Sequence, residues 1–108
     1  MTRDERLTAL LALPNDWDSY GSPPPSPKAA DQLRRVLDRA EERVGARWAE
    51  PFISPGCGML QAEWEGEDNW LVVEATGEGV AVAGPDDERP AAEDEAVEAI
   101  VAWFGAAA

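Results

Sequence analysis

Closely spaced carboxylates are the residues of this sequence best suited to chemistry. Asp16 and Asp18 flank Trp17, and their oxygens could coordinate a divalent cation. A second group of four carboxylates lies near a predicted hairpin turn: Glu63, Glu65, Glu67 and Asp68. Neither group has the ligand spacing of an EF-hand loop. We interpret the first pair as acceptors of backbone N–H bonds in an Asx-type turn, and the second group as a solvated hairpin tip.

The other residue types needed for catalysis are scarce. The sequence has no histidine, which removes the commonest general base and the commonest metal ligand. Its one lysine, Lys28, lies at a predicted helix start, where solvation argues against Schiff-base chemistry. Its one cysteine, Cys57, has no neighbouring base that could activate the thiol as a nucleophile. The sequence therefore predicts no enzyme, no cofactor and no metal site; a small metal-dependent enzyme built on Asp16 and Asp18 is the alternative.

The charge is divided unevenly along the chain. Residues 1–47 contain eight bases and eight acids, whereas residues 48–108 contain fourteen acids and only Arg89, so the net charge of −13 belongs to the second part. Such a field repels nucleic acid and anionic membrane and attracts basic surfaces. We expect a basic protein partner, no direct contact with nucleic acid and no membrane binding. The alternative is that the acid serves only solubility.

Length and cysteine content limit the architecture and the compartment. A chain of 108 residues is long enough for one core, so we expect a single acidic domain over residues 1–108. A lone cysteine cannot form an intramolecular disulfide, and the N-terminus is a poor signal peptide. The expected location is the cytoplasm.

Two helical segments are predicted before residue 48. Thr2 and Glu5 fit a capping box ahead of a short helix over residues 3–13, which Pro14 ends. Ser26 and Pro27 suit the start of a second, longer amphipathic helix that Gly45 closes. The segment between them, residues 15–25, is rich in turn-forming residues and contains three consecutive prolines; we call it the proline loop.

The remainder of the chain predicts strands followed by one helix. Apolar and polar residues alternate over residues 58–65, and residues 69–75 predict a second strand whose successive side chains point to opposite faces. A shorter strand follows over residues 80–83, and residues 52–53 could add a fourth at an edge. Residues 84–90 are predicted to form a loop that leads into the last helix. The expected fold class is α+β: a three- or four-stranded antiparallel meander in the order α-α-β-β-β-α, with the helices on one face.

The alternation divides the predicted strands between two faces. Trp64 falls on the inner face, whereas Trp70, Met59 and Val72 fall on the outer face. Aromatic residues beside acid are common in protein-binding surfaces. The alternative is that the second helix or the proline loop covers this face. The candidate partner-binding residues are those of the outer face and the hairpin tip: Met59, Glu63, Glu65, Glu67, Asp68, Trp70, Val72 and Glu74.

The loop at Trp17-Asp18-Ser19-Tyr20-Gly21, followed by Pro23 and a helix, and later a Gly-started strand ending at Trp64-Glu65, resembles a scattered group of small bacterial and phage proteins. The resemblance covers most of residues 7–75. It implies a compact fold and no catalytic residues, because the group has no settled activity. In such a loop we expect Trp17 and Tyr20 to pack back on the body and Gly21 to permit the turn.

The composition and the faces favour a binding function. We expect an acidic protein-binding module of the inhibitor, antitoxin or immunity type that neutralises a basic protein through its C-terminal half, with the N-terminal half as scaffold. One alternative is a nucleic-acid mimic that blocks a DNA- or RNA-binding enzyme. Another is an assembly subunit that self-associates through its outer sheet face.

Overall fold

In the computed structural model, which describes residues 2–106, helices flank a run of strands. The helices are α1 (Arg3–Leu11), α2 (Pro27–Val44) and α3 (Glu93–Ala106), and one 3₁₀ turn spans Gly45–Arg47. The strands are β1 (Phe52–Pro55), β2 (Leu60–Glu65), β3 (Trp70–Ala75), β4 (Val80–Ala83) and β5 (Glu88–Ala91). All five form one antiparallel sheet in chain order, β1-β2-β3-β4-β5. The predicted α+β class and the antiparallel meander are confirmed.

The strand count in the prediction was wrong. The sheet has five strands among the described residues, since β1 forms at one edge and residues 88–91 form β5 at the other. The sequence predicts a loop over residues 84–90, and Glu88-Arg89-Pro90-Ala91 shows no apolar alternation that would indicate a strand. Pairing with β4 makes the strand: Val82 lies opposite Arg89 and Val80 opposite Ala91.

The helix ends follow the predicted local chemistry. Thr2 Oγ1 accepts from the Glu5 N–H, and Glu5 accepts from the Thr2 N–H, so α1 begins with a full capping box. Ser26 Oγ accepts from the Ala29 N–H at the start of α2, where Pro27 occupies the first turn. These caps satisfy N–H groups that have no partner within the helix.

The three helices cover one face of the sheet. The inner side chains of β2 and β3 are buried at Leu60, Ala62 and Trp64 and at Leu71, Val73 and Ala75. They form one core with the apolar faces of the helices, including Leu33 and Leu37 of α2 and Ile100 of α3. Three aromatic rings pack against one another at this core, with centroids 5.3–6.1 Å apart: Trp48, Trp64 and Phe104. Trp64 is thus inside, as predicted.

Helices α2 and α3 run parallel, joined by three ion pairs. Arg35 pairs with Glu93, Arg39 with Asp94, and Arg43 with Glu98. The bases lie at four-residue intervals on α2, so they share one face of that helix. This ladder lies on the helical side of the molecule, away from the outer face of the sheet.

Candidate partner-binding face

The register of the sheet defines the outer face. Because directly paired residues in antiparallel strands point to the same side, the pairings arrange this face in rows that run across the sheet. The central row is Phe52, Glu63, Val72, Ala83 and Glu88. A second row is Ser54, Gln61, Glu74, Ala81 and Pro90. At the end of β2, Glu65 lies opposite Trp70.

This face carries acid without its own counter-charge. Residues 51–92 contain nine acids and one base, Arg89, and Arg89 pairs with Asp87. Among residues 2–106, none of Glu63, Glu65, Glu74 and Glu88 forms an ion pair. Glu74 accepts a hydrogen bond from Gln61 Nε2 at 3.1 Å, which fixes one carboxylate in the second row. A cationic surface would find carboxylates here that are not engaged by an internal base.

The structure places most of the predicted site residues together. Glu63, Val72 and Glu74 lie near the middle of the outer face, and Trp70 lies at its end with 37% of its surface exposed. Glu65, Glu67 and Asp68 are exposed at the adjoining turn. This turn is closed by a hydrogen bond from the Gly66 N–H to the Asn69 carbonyl oxygen at 2.8 Å. Acid and aromatic surface are therefore continuous from the middle of the face to this turn.

Met59 is the exception. It precedes β2, whereas Trp70 lies opposite the last residue of β2, so the two are about 20 Å apart along the strands. Its side chain lies against the β1–β2 turn, because a Cβ added to Gly56 would be 2.8 Å from Met59 Cγ. Met59 and Trp70 both occupy outward-facing positions in the strand alternation, but they lie too far apart to form one patch.

Within residues 2–106, neither helix α2 nor the proline loop covers the outer face of the sheet. Helix α2 packs on the inner side, where its buried residues join the core. The proline loop instead attaches to the β1–β2 turn: the Gly58 N–H donates to the Pro23 carbonyl oxygen at 3.4 Å, and the Ser26 N–H donates to the Gly58 carbonyl oxygen at 3.3 Å. The loop therefore supports one end of the sheet and leaves Trp70 exposed at the other.

The Asp16 and Asp18 carboxylates serve the loop itself, as predicted. Asp18 accepts from the N–H groups of Tyr20 and Ser22 and from the Ser22 hydroxyl, and Asp16 accepts from the Gly21 N–H at 2.6 Å. The Ser22 hydroxyl bond, followed by the backbone bonds, lowers the pKa of Asp18. Among residues 2–106, no group of three or more histidine, cysteine or acidic residues is arranged to hold a metal.

The expected packing of the loop aromatics is half right. Trp17 is partly buried, and its Nε1–H donates to the Pro23 carbonyl oxygen at 2.8 Å. Tyr20, by contrast, is 90% exposed. Asp16 and Ser19 adopt φ of 63° and 66° and Gly21 adopts 81°, and these left-handed residues turn the chain so that the Tyr20 ring faces solvent. The expectation that Tyr20 packs on the body was wrong.

Phe52 is a member of the face that sequence reasoning missed. It is 63% exposed and lies in the central row beside Glu63. Its neighbour Ile53 is buried, so the alternation of this pair could have identified Phe52 as outward-facing. The guanidinium of Arg6 lies 6.0 Å from the centroid of the Phe52 ring.

The two halves of the sequence do not separate into scaffold and acid as expected. Four acids of the second half, Glu50, Glu93, Asp94 and Glu98, are paired with arginines of the first half. The carboxylates without an internal base are therefore concentrated on the sheet and its turns. The acidic surface includes only part of residues 48–108.

The comparisons add no relative. No protein-family model matches the chain, and no curated protein and no solved structure matches it either. Within residues 2–106, no helix is long and apolar enough to cross a membrane.

Proposed function

We propose that this protein is a small acidic binding module of the inhibitor, antitoxin or immunity type, which neutralises a basic protein through the outer face of its sheet. The observation that carries the proposal is a sheet face that the helices leave uncovered, on which carboxylates without an internal base alternate with Phe52, Val72 and Trp70. Apolar rings provide contact area, and the surrounding charge selects a partner of opposite sign.

The arrangement of charge favours a different protein over a second copy of this chain. A two-fold interface through this face would oppose two surfaces of the same sign, which is unfavourable. The sheet edges also discourage strand pairing. At β1, the Ile53 carbonyl oxygen accepts from Arg6 Nε and Nη2 at 3.1 and 2.9 Å, and β5 contains Pro90.

The test is affinity capture at low salt from the native host with two variants of equal charge change. The outer-face variant carries Glu63→Gln, Glu65→Gln and Glu74→Gln. The control variant carries Asp31→Asn, Glu42→Gln and Glu78→Gln, which lie on α2 and in the β3–β4 turn. We expect the wild type and the control to retain the same basic protein, and the outer-face variant to lose it.

Three results would contradict the proposal, and a fourth would narrow it to a nucleic-acid mimic. Equal losses in both variants would indicate attraction by net charge alone, and retention of no protein at low salt would leave no partner to neutralise. Light scattering that shows a stable dimer lost in the outer-face variant would favour the assembly subunit. If the captured protein binds DNA or RNA and the nucleic acid displaces this chain, the partner is a nucleic-acid enzyme and the chain acts as a mimic.

A further inference from the structure

One corner of the outer face combines a tryptophan ring with a carboxylate. Trp70, the first residue of β3, lies directly opposite Glu65, the last residue of β2, and direct cross-strand neighbours have Cβ atoms about 5 Å apart. Glu67 and Asp68 follow in the turn that joins the two strands. We call Glu65, Trp70 and this turn the Trp70 corner.

The meander brings a second acidic turn to the same end of the sheet. The β4–β5 connection contains Asp86 and Asp87, of which Asp87 pairs with Arg89, and the Gly84 N–H donates to the Asp87 carbonyl oxygen at 2.8 Å. A Cβ added to Gly84 would lie 3.5 Å from the Trp70 carbonyl oxygen, so this turn adjoins the corner. The opposite end has less charge: the β1–β2 turn contains no charged residue, and Lys28 lies beside the β3–β4 turn, whose one charged residue is Glu78.

Helix α3 adds negative charge at the same end of the sheet. Trp103, near its C-terminal end, lies close to the β2–β3 turn, since a Cβ on Gly66 would be 3.4 Å from Trp103 Cη2. The C-terminal end of a helix carries a partial negative charge from its free carbonyl groups. The field at the Trp70 corner therefore has carboxylate and helix-dipole contributions of one sign, which attract a cation.

The molecule contains an internal example of an arginine bound by a tryptophan ring and a carboxylate. Arg3 lies with its guanidinium 5.6 Å from the centroid of the Trp48 ring, and it donates to both oxygens of Glu50 at 2.9 and 2.7 Å. An arginine can engage a ring face and a carboxylate together because its guanidinium is planar and presents several N–H groups. Within residues 2–106, the arginines found over aromatic rings are Arg3 and Arg6, and neither lies over Trp70.

Building on the proposed function, we infer that the Trp70 corner is an arginine-binding subsite for the basic partner. An arginine of the partner lies over the Trp70 ring and donates to Glu65, with the acidic turns supplying the surrounding field. Lysine fits less well because its ammonium is a compact, strongly hydrated charge that cannot form the planar two-point contact.

The experiment compares nona-arginine and nona-lysine peptides, which carry equal formal side-chain charge, in titrations at low ionic strength. The indole N–H resonances are followed by NMR and the affinities by calorimetry. In the wild type, nona-arginine shifts the Trp70 indole signal. Trp70→Leu retains apolar bulk and removes the π system. We therefore expect it to reduce the ratio of the nona-arginine affinity to the nona-lysine affinity by about three-fold. Trp70→Ala provides a second variant.

Tyr20→Leu is the matched control, since Tyr20 is an exposed ring in the proline loop, which attaches to the opposite end of the sheet and lies outside the proposed binding face. We expect the affinity ratio of this variant to equal that of the wild type. An unchanged ratio in Trp70→Leu and Trp70→Ala would overturn the subsite while leaving the proposed function standing. If neither peptide binds the wild type at low ionic strength, the proposed function fails with it.

Discussion

Arg35 on α2 donates through Nε and Nη2 to the two carboxylate oxygens of Glu93, the first residue of α3, at 3.1 and 3.0 Å. These residues are 58 positions apart in the sequence. The bidentate geometry fixes the start of α3 against α2. The pair also shows that the basic part of the chain neutralises acid contributed by the other part, which leaves the sheet as the acidic side of the molecule.

The first prediction concerns stability in acid. Hydrogen bonds from Arg35 lower the pKa of Glu93, against the opposing effect of its partial burial. A carboxyl group with a lower pKa in the folded chain stabilises the fold above its unfolded pKa, about 4.3, and this contribution is lost as the pH falls through the folded pKa. We expect the free energy of unfolding, measured with urea, to fall from pH 7 to pH 3, and to fall less in Glu93→Gln.

Glu42→Gln is the control for this effect, because it removes a carboxylate from α2 that forms no ion pair within residues 2–106. Its decline between the two pH values should match that of the wild type. The same reduced decline in both variants would show that total charge, and not the Arg35 pair, sets the acid sensitivity.

The second prediction concerns Arg3, which ties α1 to the rest of the fold. Its side chain is 12% exposed and pairs with Asp38, Glu41 and Glu50. Burial opposes the charged form of Arg3, but hydrogen bonds to Glu50 and Glu41 outweigh it and raise the pKa of the guanidinium. Arg3→Ala leaves three neighbouring carboxylates without their base.

We expect Arg3→Ala to lower the free energy of unfolding by about 1–2 kcal/mol, because the carboxylates are about half exposed and water partly replaces the lost bonds. Urea unfolding at pH 7 measures the change. Arg47→Ala, at an exposed base with no ion pair within residues 2–106, should change stability by less than about 0.5 kcal/mol. Equal effects would refute a specific role for Arg3.

The elements with strong local signals were predictable from sequence. The N-caps of the first two helices and the alternation in β2 depend on neighbouring residues, and these elements begin within two residues of the predicted positions. Helix α1 ends at Leu11, two residues before the predicted end at residue 13. Strand β5 lacks such a signal, since Pro90 and two charged residues interrupt it, and only pairing with β4 defines it. Local pattern cannot reveal a strand that its neighbour creates.

The sequence predicted which face of the sheet each candidate residue points to, but not which of these residues lie close together. Alternation assigned Trp70 and Val72 to the outer face, which the exposure and register agree with. The separation of Met59 from Trp70 depends on strand direction, and the arginine pairs of Glu93 and Glu98 depend on helix packing. Tyr20 projects outward because of backbone conformations at Asp16 and Ser19 that residue type alone does not specify.

The third prediction concerns the β3–β4 turn. Gly77 has φ of 92°, and a Cβ there would lie 2.7 Å from Lys28 Cβ and 3.0 Å from the Ala29 nitrogen. Its N–H also donates to Gln32 Oε1 at 2.9 Å. We expect Gly77→Ala to cost about 2–3 kcal/mol, since a left-handed conformation and a shift of α2 are both required.

Gly79→Ala is the control in the same turn, because a Cβ at Gly79 meets nothing within 4 Å and its φ lies outside the left-handed region. Thermal unfolding should give a melting temperature for Gly77→Ala roughly 10 °C below that of Gly79→Ala. Similar melting temperatures in the two variants would contradict the close approach of α2 to this turn.

The fourth prediction tests which face of the sheet is covered. Val73 and Val72 are adjacent in β3 and point to opposite faces; Val73 is fully buried beneath the helices, whereas Val72 is partly exposed in the central row of the outer face. Truncating Val73 removes two methyl groups from the core and leaves a cavity, so Val73→Ala should cost about 2 kcal/mol, and Val72→Ala under about 1 kcal/mol. Urea unfolding of the two variants measures the difference. A cost for Val72→Ala that equals the cost for Val73→Ala would mean that the outer face is covered in the isolated protein, and the binding surface proposed for Trp70 and its neighbours would then not be free to meet a partner.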